Sequence, residues 1–124
     1  MSDLAPLLVG AVDGMLAHMD LRWLPVHALT VALASRGYPG SYATGSEIRG
    51  LGVLAGDPDL LLFHAGTRRD AEGRLLAVTG LGSTLAQARD RAYAAVERID
   101  WPEGFCRRDI GWRALGLPAQ GSPL

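Results

Sequence analysis

Lysine and asparagine are absent from this 124-residue sequence, and cysteine occurs once. Each shortage removes a class of chemistry. Without lysine there is no amine for a Schiff base and no Gly-Lys-Ser/Thr end for a phosphate-binding P-loop. The lone Cys106 excludes an internal disulfide framework. The longest apolar runs, such as Leu60–Phe63, fall far short of a membrane span. Met1-Ser2-Asp3 carries no basic n-region, so a signal peptide is not expected and the cytoplasm is the default location. A formal net charge of −1 supplies no basic field for nucleic acid. His18, His27 and His64 have no Cys, Asp or Glu partners at metal-ligand spacing, so no metal site is expected.

Hydrophobic residues make up 48% of the chain, and the length suits one globular domain. With no lysine, all 12 Lys+Arg positions are arginine, and alanine and glycine are abundant, a composition that GC-rich coding alone can produce. The spacing of Leu4, Leu7, Leu8, Ala11, Val12, Met15 and Leu16 predicts a helix over 3–18, capped by Ser2 or Asp3 and weakened at Gly14. Met19–Pro25 reads as a turn or edge segment with Trp23 as its packing anchor. Strands are predicted at 28–35, 60–66 and 74–81, the last two joined by a polar hairpin and therefore antiparallel. Residues 45–51, bounded by glycines, suit a strand or turn better than a helix.

Thr84–Ile99 is the strongest helical pattern. Thr84 and Gln87 match a reciprocal capping box. Leu85, Ala88, Ala92, Ala95, Val96 and Ile99 form the inner stripe, and Arg89, Asp90, Arg91, Glu97 and Arg98 the solvated face. The expected fold is α+β: a small antiparallel sheet flanked by an N-terminal helix and a long C-terminal helix. One domain over 1–115 and a disordered tail over 116–124 complete the organisation.

The densest chemistry lies at Phe105–Leu115, where Arg107, Arg108, Asp109, Trp112 and Arg113 fall within a few residues. Paired guanidinium forks suit a carboxylate or phosphate. The same residues would equally make an Arg–Asp knot pinning the C-terminus. Arg107 and Arg108 would lower the Cys106 thiol pKa if they face it; a buried structural cysteine is the alternative. His64, at a strand end, is either a structural residue or a catalytic one. Gly37-Tyr38-Pro39-Gly40 is a tight turn that could also offer backbone N–H groups to a ligand.

Taken together, Ala34–Tyr42 (containing Gly-Tyr-Pro-Gly), Leu62–Thr67 (His-Ala-Gly-Thr), Leu76–Gly82, Arg91-Ala92-Tyr93 and Phe105–Ala114 follow an order and spacing that resembles the C-terminal domain of phosphoribosylamine–glycine ligase (glycinamide ribonucleotide synthetase), of the ATP-grasp superfamily. The resemblance runs from about Ser2 to Leu115. It implies a purine-biosynthetic enzyme that activates glycine as an acyl phosphate with Mg-ATP, after which the amine of phosphoribosylamine attacks. The ATP loops and magnesium carboxylates of that family lie in preceding domains, so this chain by itself is expected to bind no cofactor. It would close one side of the cleft, beside an ATP-grasp partner. By the same resemblance Arg107 and Arg108 would contact the ribose phosphate, and Gly37, Tyr38, Pro39, Gly40, His64, Gly66 and Thr67 would line that side. Arg36 stands where the family usually has glycine, and the segment between Thr67 and Arg74 is short for the family. Two other readings accompany this one. The first is a non-catalytic module that binds a partner or self-associates through an exposed apolar patch; the second is a small independent enzyme using His64 or Cys106.

Overall fold

The computed structural model describes residues 2–42, 45–65 and 75–117. The element order is α1 (Leu4–Val12), β1 (His27–Ser35), β2 (Leu60–Ala65), β3 (Leu75–Gly82), α2 (Leu85–Val96) and β4 (Gly104–Cys106). The four strands form one antiparallel sheet in the order β2-β3-β1-β4. The expected α+β class and the antiparallel β2–β3 pair are both observed; the hairpin joining those strands and the expected strand ends Gly66 and Arg74 lie outside the described residues.

The register explains the core. Leu29, Val31 and Leu33 on β1 point to the same side as Leu76 and Val78 on β3, and all five are buried. Period-two alternation places them on one face of the pleat. Helix α2 covers that face with Ala88, Ala92, Ala95 and Val96, all buried, as its spacing predicts. Small residues on the helix meet glycine on the sheet: a methyl group on Gly80 would lie 2.6 Å from the Ala92 amide nitrogen and would strike the Ala88 carbonyl. The helix therefore lies unusually close to β3.

The cap of α2 differs from the expected reciprocal box. Thr84 Oγ1 accepts from the Gln87 amide at 3.2 Å, but Gln87 Oε1 accepts from Ser83, from its amide at 3.2 Å and its hydroxyl at 2.8 Å. The glutamine reaches one residue further back because the Ser83 side chain adds a second donor.

The other sheet face is open. Leu61, Phe63 and Phe105 are exposed on it, beside Ala28, Ala32 and a Thr30–Thr79 hydroxyl pair bonded at 2.8 Å. The N-terminal segment departs most from expectation. The helix stops at Val12 instead of running to His18. Asp3 caps its start by accepting from Ala5, as expected. At its end Gly14 takes φ +70, Gly14 N–H donates to Ala11 O and Met15 N–H to Gly10 O, a Schellman close. Trp23, expected to anchor packing, is 80% exposed. Among the described residues none of 2–26 belongs to the buried core cluster, and α1 packs on the segment that follows it, against the one-turn 3-10 helix Leu16–His18 and the Met19 side chain over Gly10. Its apolar stripe is thus exposed rather than laid on the sheet.

Residues 45–54 are neither strand nor long helix. Arg49 exchanges backbone hydrogen bonds with Asp100, and a 3-10 turn follows at Leu51–Val53. Of the expected tail, Gly116 and Leu117 close a turn through hydrogen bonds to Arg113 O and Trp112 O; 118–124 lie outside the described residues.

Candidate functional site

After β4 the chain leaves the sheet and runs beside α2. Two residues of that helix and its C-cap, spaced by four and so aligned on one face, receive it: Arg89, Tyr93 and Glu97. Tyr93 Oη donates to Arg107 O at 2.9 Å and accepts from Ile110 N–H at 3.1 Å. Arg89 Nε donates to Ile110 O at 3.2 Å and its Nη2 to Arg108 O at 3.3 Å. Glu97 accepts from Arg108 Nη1. Arg89 was expected on the solvated face; its side chain is only 22% exposed and stacks 4.9 Å above the Tyr93 ring. An arginine whose fork serves carbonyls of a neighbouring segment can lie inward, because every hydrogen it buries finds an acceptor.

The two candidate arginines are held differently. Arg107 makes a bidentate pair with Asp109, Nε to Oδ1 at 2.8 Å and Nη2 to Oδ2 at 2.6 Å. Asp109 is 6% exposed, so this pair supplies the structural knot that the sequence left open. Arg108 pairs with a Glu97 that is itself well exposed, a contact of the kind that contributes about 0–1 kcal/mol. The Arg107 and Arg108 side chains are nonetheless 58% and 53% exposed. Two half-exposed arginine side chains thus project from consecutive residues of a backbone held by Tyr93 and Arg89.

The Arg107 hydrogen bonds, assisted by its charge, hold the Asp109 carboxyl below the usual carboxylate range. A group depressed in the folded state stabilises the fold above its unfolded value, about 3.9, and loses that contribution as pH falls through the lower folded value. Urea midpoints of the wild-type chain are therefore expected to fall as the pH drops below about 4, and more steeply than those of Asp109→Asn. Parallel slopes for the two proteins would assign the acid sensitivity to other groups.

Cys106 is half-buried on β4. Burial raises its thiol pKa and outweighs the opposing Arg108 charge, with Glu97 adding to the rise. It is a neutral packing thiol at pH 7, against the activated alternative. His64 lies on edge strand β2. The register places His64, Leu76, Leu33 and Cys106 in one row. Three interstrand spacings separate the row's ends by about 14 Å, so His64 and Cys106 do not form a pair. Gly37, Tyr38, Pro39 and Gly40 form a turn past the end of β1, where Gly37 has φ +97 and a side chain would strike the Ser41 carbonyl. The Tyr38–Pro39 bond is cis. The Ser35↔Gly104 pairing sets this turn beyond the start of β4, and the antiparallel strand carries Arg107 three residues, or roughly 10 Å, from Gly104 in the direction away from the turn. Gly66 and Thr67 lie outside the described residues.

This arrangement has known counterparts. The sequence model of the family described as "Phosphoribosylglycinamide synthetase, C domain" matches residues 28–113. The chain belongs to this family. Its residues 28–113 include the sheet but for His27, α2 and the arginine pair, and exclude α1. Phosphoribosylamine–glycine ligase of Mesorhizobium japonicum is 53% identical over 119 residues, covering 91% of this chain and 28% of that protein. The chloroplastic phosphoribosylamine–glycine ligase of Arabidopsis thaliana is 48% identical over 122 residues, 92% of this chain and 23% of that one. The crystal structure of phosphoribosylamine–glycine ligase from Thermotoga maritima superposes with a TM-score of 0.59 at 30% identity, covering 83% of this chain and 27% of that one. This synthetase C domain therefore spans about a quarter of the length of the ligases it matches. It corresponds to their C-terminal part, and the fold is theirs.

The signal for Arg107 and Arg108 was visible in sequence as a charge cluster. Tyr93 stood out only within the Arg91-Ala92-Tyr93 motif, with no role attached, and Arg89 not at all, because nothing local marks a helical arginine as the anchor of a segment about 20 residues away. The described residues contain no group of three or more His, Cys, Asp or Glu able to hold a metal ion.

Proposed function

We propose that the chain is the C-terminal unit of a phosphoribosylamine–glycine ligase of purine biosynthesis, which joins glycine to 5-phosphoribosylamine at the expense of ATP. An ATP-grasp partner holds ATP and Mg; this unit lines the substrate side of the cleft, in the cytoplasm. The observation that carries the reading is the Arg107–Arg108 pair, more than half exposed on a rigid mount in a member of this family. Arg108 leads the contact with the substrate phosphate, since an exposed and weakly bound Glu97 is readily exchanged for a dianion. Arg107 is pinned by Asp109 and contributes its charge from a fixed position. The turn Gly37–Gly40 and the end of β2 at His64–Ala65 border one end of the sheet. The exposed stripe of α1 and the open sheet face are the surfaces offered to the ATP-grasp partner.

Reconstitution tests this. The ATP-grasp part of a relative, such as the Thermotoga maritima ligase deprived of its own C-terminal part, is mixed with this chain and glycine-dependent ADP release is followed. Activity is expected to rise well above that of the ATP-grasp part alone and to be lost with Arg108→Ala. No gain on addition of the wild-type chain would reject the assignment. The exposed stripe of α1 and the open sheet face would also serve a non-catalytic module, but membership of the synthetase family favours the ligase reading.

A further inference from the structure

We infer that Arg89 and Tyr93 are positioning residues: by hydrogen-bonding the backbone of residues 107–110 they set the direction in which the Arg107 and Arg108 guanidinium groups point. The inference rests on the reading of those two arginines as phosphate contacts.

The argument begins with backbone accounting. Beyond Cys106 the chain has no strand partner, so the backbone groups that follow must find other partners or face water. Past Ile110 the amides bond within the segment: Trp112 N–H donates to Asp109 O, and Leu115 N–H to Gly111 O. Between Arg107 and Ile110 side chains take over. The carbonyls of Arg107, Arg108 and Ile110, and the amide of Ile110, are all bound by Tyr93 and Arg89. Both side chains come from one face of a helix locked on the sheet, and both are stiff. Tyr93 is a planar ring, and the Arg89 fork is stacked upon it. A fixed backbone at 107–108 leaves each arginine with side-chain freedom alone, which reduces the ordering cost of gripping an anion.

Tyr93→Phe removes the hydroxyl and little else, leaving the ring beneath Arg89 in place. Ribose 5-phosphate is titrated into the full chain and its variants by calorimetry, with circular dichroism confirming the fold. The wild type is expected to bind, Arg107→Ala and Arg108→Ala to bind poorly, and Tyr93→Phe to bind about tenfold more weakly than wild type. A merely structural tyrosine would weaken binding to the same extent in any background. A positioning tyrosine loses its effect once the group it positions is gone. In the Arg107→Ala/Arg108→Ala background, Tyr93→Phe is therefore expected to change residual affinity less than threefold, a double-mutant coupling. In nitrogen-15 spectra the Arg107 Nε–H signal, held by Asp109 in the wild type, should broaden in Tyr93→Phe. Arg89→Lys provides the independent variant should Tyr93→Phe fail to fold. It keeps the charge, loses the fork, and is expected to weaken binding similarly. Wild-type affinity and a sharp Arg107 signal in Tyr93→Phe, with binding lost in the arginine variants, would overturn the positioning role and leave the phosphate reading intact. No difference between wild type and the Arg107→Ala/Arg108→Ala variant would overturn the phosphate reading, and this inference with it.

Discussion

Gly80→Ala is expected to lower the stability of the chain by about 3 kcal/mol or more, at the upper end of overpacking costs. The reason is where the added methyl goes. It would meet the backbone of α2, 2.6 Å from the Ala92 nitrogen and against the Ala88 carbonyl, and neither can rotate away as a side chain would. Either α2 lifts from the sheet, opening gaps around Leu29, Val31 and Val78, or β3 is pushed from register with β1 and β2. For a domain of this size such a loss lowers the thermal midpoint by roughly 10 °C or more. Urea and thermal denaturation followed by circular dichroism measure it. An unchanged midpoint would mean that the close approach of helix and sheet is not real. The functional consequence follows from the same geometry: the helix displaced by Gly80→Ala carries Arg89, Tyr93 and Glu97, so phosphate binding should decline in the variant even under conditions where it remains folded.

Trp101→Ala is the second large effect, at about 3–5 kcal/mol, the usual range for a buried tryptophan. Trp101 is buried at the corner where α2 gives way to β4. Its indole N–H donates to Ser46 Oγ at 2.8 Å, tying in the 45–54 segment. Gly104 lies against the ring so closely that a methyl there would sit 2.6 Å from it. Gly104 then opens β4 by pairing with Ser35, and the Arg36 amide donates to Glu103 O at 2.7 Å. Removing the indole therefore empties part of the core and loosens the start of the strand that leads to Arg107. Trp101→Phe should recover much of the loss and leave only the Ser46 hydrogen bond missing, at about 0.5–1.5 kcal/mol. Equal destabilisation by alanine and phenylalanine would show that the hydrogen bond, not the ring, holds this corner.

Much of this architecture was legible in the residues. The 3-and-4 spacing of Ala88, Ala92, Ala95 and Val96 marks a helix with one apolar face, and Thr84 marks its start. The alternation of Leu29, Val31 and Leu33 marks a strand with one face inside. The motif series from Gly37–Gly40 to Phe105–Ala114 was enough to indicate the synthetase C domain, because such short motifs record local turn chemistry and side-chain types that survive in the sequence itself. The same local information misjudged α1. Its apolar stripe says that something covers the helix, not that β-sheet residues of this chain do. Gly14 was read as a weak point inside a helix when its left-handed backbone ends one.

The arginine segment shows the same division. That it is cationic, carries a carboxylate at its centre and suits a phosphate or an internal knot follows from Arg107, Arg108 and Asp109 as letters. Which guanidinium is pinned and which is loosely held depends on burial: Asp109 turns inward and captures Arg107, whereas Glu97 stays in solvent beside Arg108. The inward role of Arg89 was beyond sequence reasoning for a related reason. A charged residue on a helix signals solvent unless a neighbouring segment brings carbonyls to its fork, and only the return of the chain past α2 does so. The sequence by itself determined the three longer strands, α2, their apolar faces and the family, since these rest on periodicity and local backbone preference, whereas the short strand β4 and the end of α1 at Val12 were not expected from it. The tertiary structure alone decided which charges are paired, which are presented to a ligand and which hold the others in place, because those outcomes depend on contacts between residues far apart in the chain.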